Sequence, residues 1–96
     1  MLFYHVTDRS YVKDIMQHGF MGRRNSFTRK QDVRLYLRHP TFREFVRRPV
    51  VLEVEVPKKA IVKTVLDRLF EEKAAKETIT RPFRPVSVRI IHQKKL

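Results

Sequence analysis

The amino-acid sequence predicts an α+β domain, in which short helices alternate with the strands of a sheet. The segment "VVLEVEV" alternates apolar and charged side chains with the period of two that is typical of a strand. The segment that follows Asp8 places its apolar residues at helical spacing instead. The 96 residues suit one domain with a modest core, and no linker divides them, so we predict a single domain over 1–96.

The first half of the sequence predicts a strand, a helix, a loop, a strand and a helix. Aromatic and β-branched residues favour a strand over 2–6. Asp8 is a suitable N-cap for a helix, which Gly19 would end. The polar, basic segment "FMGRRNSFTRKQD" is typical of a loop. The alternation in "VRLYL" predicts a strand, and Pro40 is suited to begin a short helix that carries Phe42.

The second half predicts a central strand, a helical stretch and two closing strands. The strand "VVLEVEV" is bounded by Pro49 and Pro57. Between Lys58 and Lys76 several apolar residues stand at helical spacing, so we expect a helix over part of that range. The segments "ETIT" and "VSVRII" predict two short strands around the turn "RPFRP". The predicted order is β-α-loop-β-α-β-α-β-β.

Basic side chains dominate the composition. Lys and Arg number 22 against 10 Asp and Glu, which gives a net charge of +12. Such an excess attracts polyanions, namely nucleic acid, nucleotide phosphates or an acidic protein, although it also serves simply to keep a small protein soluble. The candidate phosphate-binding residues come from the most basic part of the chain: Arg23, Arg24, Arg29, Lys30, Arg34 and Arg38.

Several classes of site find no support in the sequence. The chain has no cysteine, and its four histidines lack the spacing of metal ligands, so we predict no metal site. Two glycines are too few for a phosphate-binding loop of the nucleotide-binding types. No apolar run has the length of a membrane span, and the start of the sequence lacks the pattern of a signal peptide. We therefore expect a cytoplasmic protein without a membrane partner.

His5 is the polar residue that interrupts the first strand. Taken alone it is either a hydrogen-bonded core residue or one end of a site. The segment "FYHVTDRSYVKDIMQHGF" resembles the opening of small ADP-ribosyltransferase-like domains, in which an aromatic-His-x-Thr/Ser strand precedes a helix. Further along, "RLYLRHPTFREFV", "RPVVLEVEVP" and "KETITRPFRPVSVRII" resemble the family's second motif, central strand and closing pair. The likeness covers nearly the whole chain.

The resemblance implies a split, strongly bent β-sheet that holds NAD, as a substrate, in its central cleft. Residue by residue, it implies a catalytic set of His5, Tyr36 and Glu77 and an NAD-binding set of His5, Thr7 and Tyr36. Tyr36 would stack on the nicotinamide, and Glu77 would stabilise the positive charge that develops as the glycosidic bond breaks. The plainer alternatives are a cross-strand aromatic for Tyr36 and a solvated strand-end charge for Glu77.

Three functions remain open on the sequence. The first is NAD-dependent transfer of ADP-ribose to an acceptor, either a nucleic acid or a nucleic-acid-associated protein. The second is a non-enzymatic basic module on the same fold, which binds nucleic acid or an acidic protein. Arg38 and His39 stand where the family often has Ser or Thr, and the scarcity of glycine favours this second function. The third is an activity like that of RNA 2′-phosphotransferases, because the segment "HVTD" also resembles the first motif of those enzymes.

Overall fold

One antiparallel sheet of six strands carries the fold in the computed structural model, which describes the backbone of residues 1–96 and the side chains of 1–70 and 74–96. The strands are β1 (Leu2–Asp8), β2 (Asn25–Thr28), β3 (Pro49–Glu55), β4 (Ile61–Leu66), β5 (Lys76–Thr80) and β6 (Val88–Ile91). Their order across the sheet is β4-β5-β2-β1-β3-β6. The α-helices are α1 (Val12–His18), α2 (Val33–Arg38) and α3 (Pro40–Phe45).

Short 3₁₀ turns join these elements, at Arg9–Tyr11, Lys30–Asp32, Lys58–Ala60, Arg68–Lys73 and Gln93–Lys95. The α+β class is thereby confirmed. No helix in the part of the chain that the structure describes has the length and apolar character needed to cross a bilayer.

Apolar side chains pack on both faces of the sheet, because adjacent residues of a strand point to opposite faces. On one face Phe3 and Leu52 belong to a core that includes Ile15 from α1. On the other face Tyr4 and Val51 pack against α2. A third cluster joins α2 to the segment between β4 and β5. The central strands are therefore covered on both sides, which explains why the neighbouring residues Val51 and Leu52 of β3 are both buried although they point to opposite faces.

The link from β1 to α1 forms as the sequence predicts. The Asp8 carboxylate accepts a hydrogen bond from the backbone N–H of Ser10 at 3.0 Å and so caps the 3₁₀ turn before α1. Gly19 ends α1 with a φ of +80°, a conformation that side-chain-bearing residues rarely adopt. A Cβ at this position would lie 2.8 Å from the carbonyl oxygen of Phe83. Both ends of the predicted helix are thus fixed by the residues that the sequence singles out.

For two segments the sequence predicts the wrong type of secondary structure. "VRLYL" is the helix α2 rather than a strand, because its buried residues Val33 and Tyr36 are three positions apart and lie on one helical face. The expected helix between Lys58 and Lys76 is instead β4 followed by a 3₁₀ turn. β4 is an edge strand with most of its residues exposed, so no buried face imposes a period of two on its sequence.

The predicted loop over 20–32 is also wrong in part, since it contains β2 near the middle of the sheet. β2 has only four residues, and its pairing with β5 rather than its composition holds it in place. The two closing strands are present as predicted. However, β5 pairs with β2 and β4, whereas β6 pairs with β3 near the other edge, so the turn between them does not form a hairpin.

Candidate functional site

The pairing between β1 and β2 is interrupted near the centre of the sheet. These two strands share one register pair, Tyr4 opposite Thr28. By contrast β1 pairs with β3 along its full length, and β2 pairs with β5 along its full length. The sheet therefore consists of two three-stranded halves that meet at one pair, with an opening beside it.

His5 lies at this opening and bridges it. Its Nδ1 donates a hydrogen bond to the backbone carbonyl of Ser26 at 2.7 Å, and its ring packs edge-on against Phe20 with centroids 5.2 Å apart. Burial lowers the pKa of His5, and the Ser26 carbonyl only partly opposes that effect. The imidazole is consequently neutral at pH 7 with its proton on Nδ1, so Nε2 is the nitrogen that can accept a hydrogen bond from a ligand.

A cavity of about 130 Å³ occupies the opening, and His5 and Tyr36 both line it. Tyr36 reaches it from α2 rather than from a strand, with its ring edge-on to Phe42 at a centroid distance of 5.4 Å. Its hydroxyl donates to Oδ2 of Asp67 at 2.6 Å. Burial and this hydrogen bond raise the pKa of Tyr36 far above its ordinary value. The phenol is therefore neutral, and the ring is the part of Tyr36 that remains for a ligand.

Glu77 lines a second, larger cavity of about 380 Å³ together with Arg24 and Ser26. The two cavities share one lining residue, Ser26. Glu77 stands opposite Thr28 in the β2–β5 pairing, and its charge contributes to the raised pKa of Tyr36. The carboxylate is thus near Tyr36 without lining the cavity of His5.

Thr7, the remaining NAD-binding candidate, lies apart from both cavities. It is buried on β1 opposite Val50, two residues beyond His5, and it lines neither of them.

The six basic candidates divide into two groups. Two of them are hydrogen-bonded to other parts of the fold, although Arg34 is also exposed: Arg29 Nε donates to Oδ2 of Asp32 at 2.7 Å, and Arg34 Nε donates to the carbonyl of Leu96 at 3.1 Å. The other four present exposed cations, and among them Arg24 also lines the cavity of Glu77: Arg23, Arg24, Lys30 and Arg38.

Asp32 is a site-supporting residue that the sequence interpretation missed. Its carboxylate is only 4% exposed and accepts hydrogen bonds from Arg29 and from the backbone N–H of Lys76, the latter at 3.1 Å. Arg29 Nη2 also donates to the carbonyl of Ala74 at 3.3 Å. The pair therefore fixes the residues directly before Glu77, and we call it the Arg29–Asp32 clamp. Its i, i+3 spacing of opposite charges is the sequence signal that indicates such a pair.

Phe27 and Asp67 were also missed, and they have weaker sequence signals. Phe27 lies in the segment predicted as a loop, yet it is almost fully buried and packs on His5 with centroids 5.4 Å apart. Asp67 lies in the segment predicted as helical, and nothing in its spacing connects it with Tyr36.

Among the described side chains, no group of three or more His, Asp or Glu residues is arranged to hold a metal ion. Comparisons with protein-family models, with curated proteins and with solved structures find no match to this chain.

Proposed function

We propose that this protein is an ADP-ribosyltransferase-like domain that binds NAD at the opening between β1 and β2 and transfers ADP-ribose to a nucleic-acid acceptor. One observation carries the proposal. His5, Tyr36 and Glu77 are far apart in sequence, yet they border two cavities that share Ser26, beside the interruption in the pairing of the central strands.

The sizes of the cavities support a division of NAD between them. Sites for small molecules typically enclose about 300–1,000 Å³, so the cavity of 130 Å³ admits only one ring of the dinucleotide. The aromatic side chains of Tyr36 and Phe42 make it suitable for the nicotinamide. The cavity of 380 Å³ is more polar, and the guanidinium of Arg24 suits the diphosphate.

The charges of the residues fit the chemistry of nicotinamide release. The bond between the ribose C1′ and the nicotinamide nitrogen breaks, its electron pair leaves with nicotinamide, and positive charge develops on the ribose. The carboxylate of Glu77 stabilises that charge, and the acceptor's oxygen or nitrogen then attacks C1′ and loses its proton to solvent. Neutral His5 has Nε2 available to accept a hydrogen bond from a ribose hydroxyl.

Substitution of Glu77 tests the proposal. Glu77→Gln keeps the size of the side chain but removes its charge, so we expect nicotinamide release to fall by about 10²-fold or more while NAD still binds. Release is measured by chromatography with DNA, RNA, 2′-phosphorylated RNA and protein as acceptors, and NAD binding by calorimetry. Glu55→Gln, the same change at a carboxylate on β3 that lines neither cavity, is the matched control and should retain activity.

A non-enzymatic binding module is the second candidate, and the hydrogen bonds at the opening favour it. The Nδ1 of His5 and the hydroxyl of Tyr36 are both used within the fold, whereas several arginines are exposed. If the wild-type protein releases no nicotinamide with any of these acceptors, and Glu77→Gln leaves binding to nucleic acid or an acidic protein unchanged, the protein is such a module.

A further inference from the structure

An aromatic ring is exposed at the end of α3. The side chain of Phe45 is 78% exposed, although it follows the partly buried Phe42 by three positions on the same helix. A single exposed apolar side chain is unremarkable by itself, so its surroundings decide whether it carries a function.

Arginines surround this ring in the sequence. We define the α3 surface by its members: Arg38, Arg43, Phe45, Arg47 and Arg48. Arg47 and Arg48 follow Phe45 within roughly 11 Å of chain at most, whereas Arg43, two residues before Phe45 on the same helix, points to a different side of α3. Glu44 is the only acidic residue between 38 and 48.

The cations of the α3 surface are hardly neutralised. Among the described side chains, no carboxylate comes within 4.0 Å of Arg38, Arg43 or Arg47. Arg48 approaches Asp8 at 3.7 Å, but that carboxylate already accepts hydrogen bonds from two backbone N–H groups. The surface therefore combines an exposed ring with positive charge that the fold does not use.

A basic groove continues from the α3 surface. The backbone N–H of Arg9 donates to the carbonyl of Arg48 at 2.9 Å, which brings the start of the first 3₁₀ turn beside the end of the α3 segment. From there a cavity of about 350 Å³ runs along β3 and β6, and Arg9, His92 and Lys94 line it. No carboxylate lines this groove.

We propose that the α3 surface and this groove bind single-stranded nucleic acid. Proteins that bind single strands combine a cationic groove for the phosphates with aromatic rings on which bases stack. A base stacks on Phe45, Arg47 and Arg48 contact the adjacent phosphates, and the strand continues towards Arg9. A duplex would offer only phosphates, because its base faces are already stacked. A single strand bound here would be the acceptor of ADP-ribose, and this role rests on the proposed function. The binding of the strand itself does not depend on that function.

Binding of labelled oligo(dT) and oligo(rU) of about 12 nucleotides, compared with a duplex of the same length, tests the site. The wild-type protein should prefer the single strands. Phe45→Ala should weaken their binding by about 5-fold to 150-fold, which is the loss expected for one stacked base, and should remove the preference over the duplex. Phe45→Trp should retain binding, because indole also stacks. Val86→Ala is the matched control, since Val86 is an apolar side chain outside the α3 surface that is even more exposed than Phe45.

Salt dependence separates the arginines from the ring. Between about 50 and 200 mM salt, the logarithm of the binding constant falls by about 0.7 per phosphate contact and log unit of salt. Arg47→Gln should reduce that slope by about one contact, whereas Phe45→Ala should leave it unchanged. Equal affinity of wild type, Phe45→Ala and Phe45→Trp, or equal binding of single strand and duplex, would overturn the site.

NAD titration keeps this inference distinct from the proposed function. Phe45→Ala should bind NAD as the wild type does, because Phe45 lines neither of the two cavities at the opening. If the protein binds NAD but no single strand, the proposed role of the α3 surface is wrong, and the proposed NAD site at the opening is unaffected. A protein that binds single strands through Phe45 but does not bind NAD supports the α3 surface and contradicts the proposed function.

Discussion

Removal of the buried carboxylate of the Arg29–Asp32 clamp should destabilise the protein strongly. In Asp32→Ala, the guanidinium of Arg29 loses its partner at 2.7 Å and 3.2 Å, and the backbone N–H of Lys76 loses its acceptor at 3.1 Å. Both donors lie beside the residues that directly precede Glu77. The methyl group of alanine cannot accept the hydrogen bonds that the carboxylate accepted. Asp32→Ala should therefore lower the stability of the protein and also loosen the placement of Glu77.

The expected loss follows from burial. Breaking a fully buried ion pair costs about 3–5 kcal/mol, because the remaining charge stays without a partner. The side chain of Arg29 is 32% exposed and water can solvate it in part, so we place the loss at the lower end, about 3 kcal/mol. Domains of this size have a total stability of about 5–15 kcal/mol, and each kcal/mol shifts Tm by roughly 4–8 °C. Tm should accordingly fall by roughly 12–24 °C.

Thermal and urea denaturation followed by circular dichroism measure this loss. Asp14→Ala is the matched control, since Asp14 forms an i, i+4 pair with His18 on the surface with its side chain 74% exposed. Such exposed pairs contribute about 0–1 kcal/mol, so the control should change Tm little. If Asp32→Ala unfolds within about 0.5 kcal/mol of the wild type, as the control should, the clamp does not hold the segment before Glu77.

Two further predictions concern the link between β1 and α1. Gly19→Ala should lower the free energy of unfolding by at least about 2 kcal/mol in urea, because it forces a side chain into positive φ and against the carbonyl of Phe83. Gly22→Ala should lose less, since its Cβ would come closest to the side chain of Asn25, at 3.0 Å, and would meet the carbonyl oxygen of Arg24 only at 3.9 Å. Backbone hydrogen bonds from Ser10 and then Arg48 lower the pKa of Asp8, so its stabilisation is complete above the ordinary pKa of about 3.9 and is lost as the pH falls below that value. The stability of the wild type should thus decrease from about pH 5 to about pH 2 more steeply than that of Asp8→Asn, and equal slopes in urea titrations would contradict this account.

Local signals in the sequence were sufficient to predict the boundary of an element where a single residue type has a well-defined physical role. Asp8 as a cap, Gly19 at positive φ and Pro40 at the first position of α3 each fix an element boundary. The strand β3 was predicted from its alternation, although its burial on both faces depends on helices that are distant in sequence. These elements needed no knowledge of the rest of the fold.

The failures occur where tertiary packing decides between two patterns. In "VRLYL" both alternation and an i, i+3 spacing fit five residues, and only the position of Asp67 and Phe70 shows that Tyr36 belongs to a helical face. β4 is exposed and so carries no alternation, while β2 is too short to carry any. For the site, the sequence identified His5, Tyr36 and Glu77 by resemblance. Their shared opening depends on how β1 and β2 pair, which no local pattern encodes.

The order of the strands also determines how late in folding the sheet can assemble. β1 pairs with β3 and β2 pairs with β5, and in both cases the partners are about fifty residues apart along the chain. The chain must bear the entropic cost of closing two such loops before most of the stabilising hydrogen bonds can form. Domains with such long-range pairings typically fold in milliseconds to seconds rather than microseconds. On the ribosome, β2 must wait for β5 to emerge, so Phe27 stays uncovered while most of the chain is made.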